Sequence, residues 1–411
     1  MNTWSLSWHG LRTVVSLELR QRIRSPRWMV ALAAWFVLIG GITGLVIYSM
    51  SYLYGDRGYA SEYSAGPLAF GIITMFVLGM GLMIAPAFTS TSINGDRSSG
   101  TLATLQATRL SAFEIAAGKL IAAWLAAAVF LVVALPFIVW TMVLGWISIW
   151  QVAVCFAVVF ALVAVVCAIG LGWSALIQRT AGATVMTYLS VVLLSIISPM
   201  VMVLSMPFTL EETTYKVWGL PESVSNAYYD EVNRYWEQHP DGDGSGLPAP
   251  PVGECTWTEQ RYENYRTDRL WWLLVPNPFV IVADAAPLPD VARDRLDTYV
   301  NMSSDPLAGI RLGVRSMAIG PELVRDDCIW LYNELGYNVD WNEDGTPNLT
   351  TQNGTPVPYD SPVPQRTVDA GSPVWPWGLG VNLAIGVVFF WVAVRRLAIP
   401  YGVLPRGVRV A

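Results

Sequence analysis

Six stretches of this chain are long, apolar and free of Asp, Glu, Lys and Arg: residues 28–48, 67–88, 120–144, 150–177, 183–208 and 375–394. Crossing the hydrocarbon core of a bilayer takes about 20 such residues. Inside lipid every main-chain N–H and C=O must be satisfied within the segment, so each stretch is expected to be a helix. Composition agrees. Of the 411 residues, 54% are hydrophobic and 14% charged, where a soluble domain carries roughly 25% charged residues. The expected fold class is an α-helical integral membrane protein with six transmembrane helices and a large mixed domain between helices 5 and 6.

The charge is unevenly placed. Residues 206–373 hold 26 acidic and 11 basic side chains, a net of −15, within a chain whose overall charge is −6. The basic residues crowd the short segments on one side of the spans: Arg12, Arg20, Arg22, Arg24, Arg27, Arg97, Arg109, Lys119, Arg179, Arg395, Arg396, Arg406 and Arg409. The two short connections on the other side hold only Arg57. The positive-inside rule then places both termini in the cytosol and the acidic insert outside the cell membrane. The first span is too long for a signal peptide and follows a segment with five Arg, so it is expected to stay attached. The resulting plan has a cytosolic N-terminus over 1–27, five spans over 28–208 with a loop at 89–119, an extracytoplasmic domain over 209–373, a sixth span over 374–397 and a cytosolic tail over 398–411. An acidic exterior gives nucleic acid nothing to bind.

The insert is rich in Pro, Gly, Trp and Tyr and weak in helical periodicity, with linkers at 241–251 and 353–364. Its apolar run 270–283 is broken by Pro276 and Pro278. Length leaves two readings open, a buried segment of the outer domain or a re-entrant helix in the outer leaflet. Cys255 and Cys328 are the two cysteines of the insert, in an oxidising setting. They are expected to pair, which stabilises a long loop by roughly 4 kcal/mol in the chain-entropy model. Cys155 and Cys167 fall within the fourth span and read as packing residues.

Little in the chain suits catalysis. There are two histidines, His9 and His239, and no H-E-x-x-H, G-x-S-x-G or C-x-x-C. No G-x-x-x-x-G-K-[ST] loop is present, so this chain is not expected to hydrolyse ATP in the P-loop manner. Asp340, Asn342 and Asp344, followed by Gly345, match the first half of a D-x-[DN]-x-[DN]-G calcium loop. Thr351 stands where that loop needs a bidentate Glu, so this run and the one at 241–246 read more simply as solvated acidic turns. Charge-free spans offer no proton relay or metal site.

Two elements on the basic side are more informative. In the first, Leu11, Val15, Leu19 and Ile23 recur every four residues, flanked by Arg12, Arg20, Arg22 and Arg24, as in a helix lying in the membrane interface. In the second, a Gly- and Ser-rich stretch around Asn94–Gly100 sets a turn, after which Ser98 or Ser99 would cap a short helix carrying Leu102 and Leu105. Ser111 and Glu114 have capping-box spacing ahead of the third span.

Asp96-Arg97-x-x-Gly100-Thr101-Leu102-x-x-Leu105, then Leu110-Ser111 and Gly118-Lys119, resembles the loop of ABC transporter permeases of the type-2 exporter family. That family usually shows Glu-Arg-Glu-x-Gly-Thr-Leu-Glu, a Pro before Leu-Ser, then Gly-Lys. This chain has Asp96, Ser98, Ala103 and Arg109 in place of the two leading Glu, the trailing Glu and the Pro. The segment with Glu18-Leu19-Arg20 before the first span also fits the family. The resemblance implies the permease half of an ATP-driven exporter, paired with an identical or paralogous permease and docked on separate ABC ATPase subunits. ATP and Mg would then be bound by those subunits and no cofactor by this chain. Docking would fall to Asp96, Arg97, Gly100, Thr101, Leu102 and Leu105, with the interfacial helix carrying Leu11, Val15, Glu18, Leu19, Arg20 and Ile23 beside them. It also implies a re-entrant hairpin between spans 5 and 6. The competing expectation is a membrane-anchored protein whose outer domain binds a ligand or partner and transports nothing.

Overall fold

A computed structural model describes residues 4–54, 65–101, 110–144, 147–240, 246–248, 251–287, 305–321, 323–334, 337–341, 347–351, 356–357, 359, 362–363 and 372–398. Six helices are long and apolar enough to cross a membrane: span 1 (Pro26–Tyr54), span 2 (Ala65–Thr89), span 3 (Ala112–Leu144), span 4 (Ile149–Leu176), span 5 (Thr180–Thr209) and span 6 (Trp375–Leu397). The chain is an α-helical integral membrane protein, and each apolar stretch of the sequence falls on one of these helices.

Span 4 sits at the centre and packs against spans 2, 3, 5 and 6. It approaches span 2 and span 6 closely: a Cβ on Gly170 would lie 2.1 Å from Thr89 Oγ1, and one on Gly172 2.6 Å from the Phe389 ring and 2.8 Å from the Phe389 carbonyl oxygen. Spans 1, 2 and 3 share an aromatic cluster. Trp35 stacks on Phe76 with centroids 5.5 Å apart, and Trp28 meets Phe130 edge-on at 5.3 Å. The Trp35 indole donates to the Phe130 carbonyl at 2.9 Å, so its buried N–H is satisfied. Cys155 and Cys167 are free and buried in the same core.

Span 5 is not one regular helix. It runs α-helical over Thr180–Val192, passes through a π-turn at Leu193–Ile197 and resumes at Ser198–Ser205. Pro199 explains the break. Proline has no N–H to give the carbonyl four residues back, that of Ser195, and its ring crowds that oxygen. The widened turn frees the Ser195 carbonyl, and the Asn277 side-chain amide donates to it at 2.9 Å.

Asn277 belongs to the insert. It caps the helix Pro278–Ala285, its Oδ1 accepting from the Phe279 N–H at 2.9 Å. This short helix packs against spans 4 and 6 and against a second helix, Pro306–Ile319. Ile281, Val282 and Ala283 are fully buried in the same core as the spans. The end of the apolar run, Ile281–Ala283, therefore belongs to the core of the spans, while Leu274, Val275 and Val280 pack in a smaller cluster with Met202 of span 5 and Val314. Asp284 holds the arrangement together. Its Oδ1 accepts from Arg315 Nε at 2.6 Å, and its Oδ2 accepts the Val374 and Trp375 N–H groups at 2.7 and 2.8 Å. A carboxylate thus caps the first turn of span 6, where the helix dipole favours negative charge.

The rest of the insert is mixed. Strand β1 (Leu210–Gly219) leaves span 5 directly and pairs antiparallel with β2 (Thr256–Tyr265) and parallel with β3 (Val324–Asp326), in the order β2-β1-β3. A second small sheet joins β4 (Asn338–Trp341), β5 (Pro347–Thr350) and β6 (Pro356–Val357). Cys255 and Cys328 form a disulfide with Cα atoms 6.3 Å apart, buried with Leu331 beside Trp218. Between β1 and β2 runs a helix, Glu222–Gln238, in a region whose sequence reads as weak in helical periodicity. Val224, Tyr228, Val232 and Tyr235 form its inner stripe. Half of that stripe is Tyr, a strand-favouring type, which obscures the pattern.

Candidate functional site

The helix Trp8–Ile23 lies against the start of span 3. Its buried face is Gly10, Leu11 and Val14, continued by half-buried Val15, Glu18, Leu19 and Arg22. The expected stripe of Leu11, Val15, Leu19 and Ile23 holds at its first three positions only; Ile23 is 54% exposed. A strict four-residue repeat gains about 40° per step on a helix of 3.6 residues per turn, so by the third step it has rotated off the face. The drift brings Glu18 and Arg22 inward instead. Arg20 is exposed.

Gly118 and Lys119 receive this helix. A Cβ on Gly118 would lie 2.6 Å from Val14 Cγ1, so the glycine is the seat into which Val14 closes. The next residue, Lys119, is 2% exposed, and its ammonium bonds Glu18 Oε1 at 2.6 Å and Asp96 Oδ2 at 2.5 Å. Glu18 in turn pairs with Arg22, Oε2 to Nη2, at 3.7 Å. Arg22 Nη2 donates to the Phe88 carbonyl at 3.2 Å, near the end of span 2, and the guanidinium stacks 5.2 Å from the Phe88 ring centre. Burial holds Arg22 below the ordinary guanidinium value, against the pull of Glu18. The chain Asp96–Lys119–Glu18–Arg22–Phe88 ties the N-terminal helix, the segment after span 2 and the ends of spans 2 and 3 into one body. Its four charges sum to zero, so the burial is compensated pair by pair.

Asp96 reaches Lys119 because Ser92–Ser98 is a helix. The sequence reading places a turn there, and the structure corrects it: only Ser99 and Gly100 turn, Gly100 with φ 76°. The helix start is capped from elsewhere. Ser174 Oγ on span 4 accepts from the Ile93 N–H at 3.0 Å and the Asn94 N–H at 3.2 Å, and Asn94 Nδ2 donates to the Ile177 carbonyl at 3.3 Å. No local signal announces a cap supplied from so far along the chain. Thr101 Oγ1 donates back to the Asp96 carbonyl at 3.3 Å. Among the described residues the Arg97 side chain has no hydrogen-bond or ion-pair partner, while its carbonyl accepts from the Gly100 N–H at 3.3 Å. Leu102 and Leu105, with the short helix expected to carry them, lie outside the described residues.

The Ser111–Glu114 pair forms the capping box at the start of span 3. Ser111 Oγ accepts from the Glu114 N–H at 3.1 Å, and Glu114 Oε2 accepts from the Ser111 N–H at 2.8 Å. Glu114 Oε1 also accepts from the Ser7 N–H, and Ser111 Oγ donates to the Ser5 carbonyl. Ser7 itself caps the N-terminal helix. Span 3 starts ahead of the apolar stretch 120–144, and this first part carries both Glu114 and Lys119.

Asp340 sits in β4 opposite Asn348 of β5, whereas Asn342 and Asp344 lie outside the described residues. Among the described residues no group of three His, Cys, Asp or Glu is placed to hold a metal ion.

The site ties the N-terminal helix, the segment after span 2 and the start of span 3 together through charged and hydrogen-bonded side chains. A comparison with curated proteins returns no match. The family model described as ABC-2 family transporter protein matches residues 12–222, just over half of the chain, from the N-terminal helix through span 5 and β1. With six spans, a seated N-terminal helix and a charged link between its loop and span 3, the chain belongs to the ABC-2 transporter family and is a membrane permease of ABC transporters.

Proposed function

We propose that this chain is the permease half of an ATP-driven exporter: it builds the translocation pathway with a second permease and docks separate ABC ATPase subunits through the segment around Asp96–Thr101. The observation that carries this reading is the buried Lys119, bonded to Glu18 and Asp96. A force applied at the Asp96 segment reaches span 3 and the N-terminal helix without passing through a loose tether. Arg97, half-exposed and unpaired among the described residues, offers a forked donor set to a carboxylate on the ATPase. Spans 1 and 5 are the least buried of the six, which leaves apolar surface for a second permease and for lipid. The positive-inside bias supports a cytosolic position for the charge cluster and an outer position for the insert.

The test is co-purification of the full chain, from its own host, with its ATPase subunit. Arg97→Glu is expected to lower the amount of ATPase retained and to abolish transport while the permease itself stays folded. Full retention and unchanged transport would remove Arg97 and its segment from the docking surface. Purification as a lone chain, with no ATPase activity on reconstitution, would favour the anchored binding protein.

A further inference from the structure

We propose that the insert pairs with that of a second copy of this chain through its free edge strand, β2 aligning antiparallel with β2 about Tyr262; this rests on the reading that the permease works as a pair. Strand β2 is ten residues long and hydrogen-bonds to β1 alone, in unbroken register from Thr256 to Tyr265. Just beyond it, the Arg266 N–H points to β1, donating to the Thr209 carbonyl at 3.0 Å. Hydrogen-bond direction alternates along an antiparallel strand, so Trp257, Glu259, Arg261, Glu263 and Tyr265 turn their main-chain N–H and C=O groups outward. Exposed edges are ordinarily blunted by charged side chains, Pro, a bulge, a cover or extreme shortness. This one is long and has no Pro or bulge, its three charged side chains alternate in sign, and among the described residues no main-chain hydrogen bond is made on its outer side.

Charge complementarity selects the occupant and the register. Glu259, Arg261 and Glu263 share one exposed face, and among the described residues none has an ion-pair partner. Glu263 stands opposite Glu212 of β1, a like-charge pair that is unfavourable at this spacing. A two-fold axis at Tyr262 sets Arg261 of each copy opposite Glu263 of the other, and by symmetry this occurs twice. It also sets Gln260 opposite Asn264 and Tyr262 opposite itself. An axis at Arg261 sets Arg on Arg and Glu259 on Glu263. An axis at Gln260 pairs Glu259 with Arg261 but leaves Glu263 facing only Glu212. Of these three registers, the one about Tyr262 alone brings a cation to Glu263. The product is a six-stranded sheet continuous across the pair, whose two β1 strands leave span 5 directly.

The experiment uses the full chain in lipid nanodiscs. Tyr262→Cys is expected to give a disulfide-linked dimer on mild oxidation, with the bond mapped by mass spectrometry to position 262 in both copies. Trp257→Cys, far from the axis, should remain monomeric on a non-reducing gel. Arg261→Glu should lower the Tyr262→Cys yield, by up to about five-fold for each of the two pairs, and Arg261→Glu with Glu263→Arg should restore it. Two copies by native mass spectrometry without a 262–262 bond would overturn the strand pairing and leave the permease pair standing. A single copy would overturn both, and a pair formed with a different permease would overturn the choice of a second copy.

Discussion

Replacing Lys119 with Met removes the charge but keeps the length and most of the volume of the side chain. Glu18 Oε1 and Asp96 Oδ2 then face each other across the space that the ammonium occupied 2.6 and 2.5 Å away. Lys119 is 2% exposed and the Glu18 side chain 14%, so water cannot easily replace it. Removing one partner of a buried ion pair typically costs about 3–5 kcal/mol. Here two carboxylates lose their shared cation, which places the expected effect in that range despite the partial exposure of Asp96. The N-terminal helix should bear most of the loss, because Glu18 is the charged residue within it that bonds span 3. Opening of Trp8–Ile23 should increase roughly a hundred- to a few-thousand-fold, since every 1.4 kcal/mol is tenfold. Amide hydrogen exchange in nanodiscs reads this directly. Glu18→Gln should cost less, because Asp96 still neutralises the ammonium. Lys119→Met combined with Glu18→Gln and Asp96→Asn should recover most of the lost protection, as neutral replacement of a whole buried cluster is often tolerated. Unchanged exchange in Lys119→Met, or a triple variant no better than the single one, would refute the view that this cluster holds the helix down.

Four further outcomes are expected. Gly118→Val should unseat Val14, at a cost of about 1–3 kcal/mol, and Val14→Ala in the same chain should relieve part of it; thermal unfolding of the four combinations checks this. Asp284→Ala should cost about 3–5 kcal/mol, because Arg315 loses its carboxylate and the first turn of span 6 loses its cap; limited proteolysis within the insert gives the readout. Asp305 caps the helix Pro306–Ile319, its Oδ1 accepting from the Leu307 N–H at 2.9 Å, and burial pushes its carboxyl from the ordinary carboxylate range up to about 6. The folded chain therefore holds that proton more tightly than the unfolded one, and stability falls as pH rises from about 4 through 6. Asp305→Asn keeps a good helix cap and should be the more stable form at pH 7.5, by up to about 3 kcal/mol at 1.36 kcal/mol per unit; denaturation at both pH values should show the gap closing near pH 4. Thiol labelling of the denatured, unreduced protein should find two reactive cysteines, Cys155 and Cys167; four would mean that Cys255 and Cys328 are not bonded.

The membrane part was legible in the sequence because its physics is local. A helix in lipid must satisfy its own main chain, so length, apolarity and the absence of charge locate it. The capping box of Ser111 and Glu114 lies within one turn and reads the same way. The Gly118-Lys119 pair stood out only through its family resemblance; its reason, a seat for Val14 and a partner for Glu18, requires two helices in contact. Regular spacing misled at Ile23, where a repeat of four outruns the helical turn. It was silent at Ser92–Ser98, whose cap comes from Ser174 on span 4. The π-turn of span 5 was half-written in Pro199, but the partner of the freed carbonyl, Asn277, is set by packing. Apolar runs and caps of one turn depend on neighbours in the chain, and the sequence alone determined them. Which charges share a burial, which edge stays open and where the helix Pro278–Ala285 packs depend on neighbours in space, because burial and Coulomb energies follow distance between atoms and not separation along the chain.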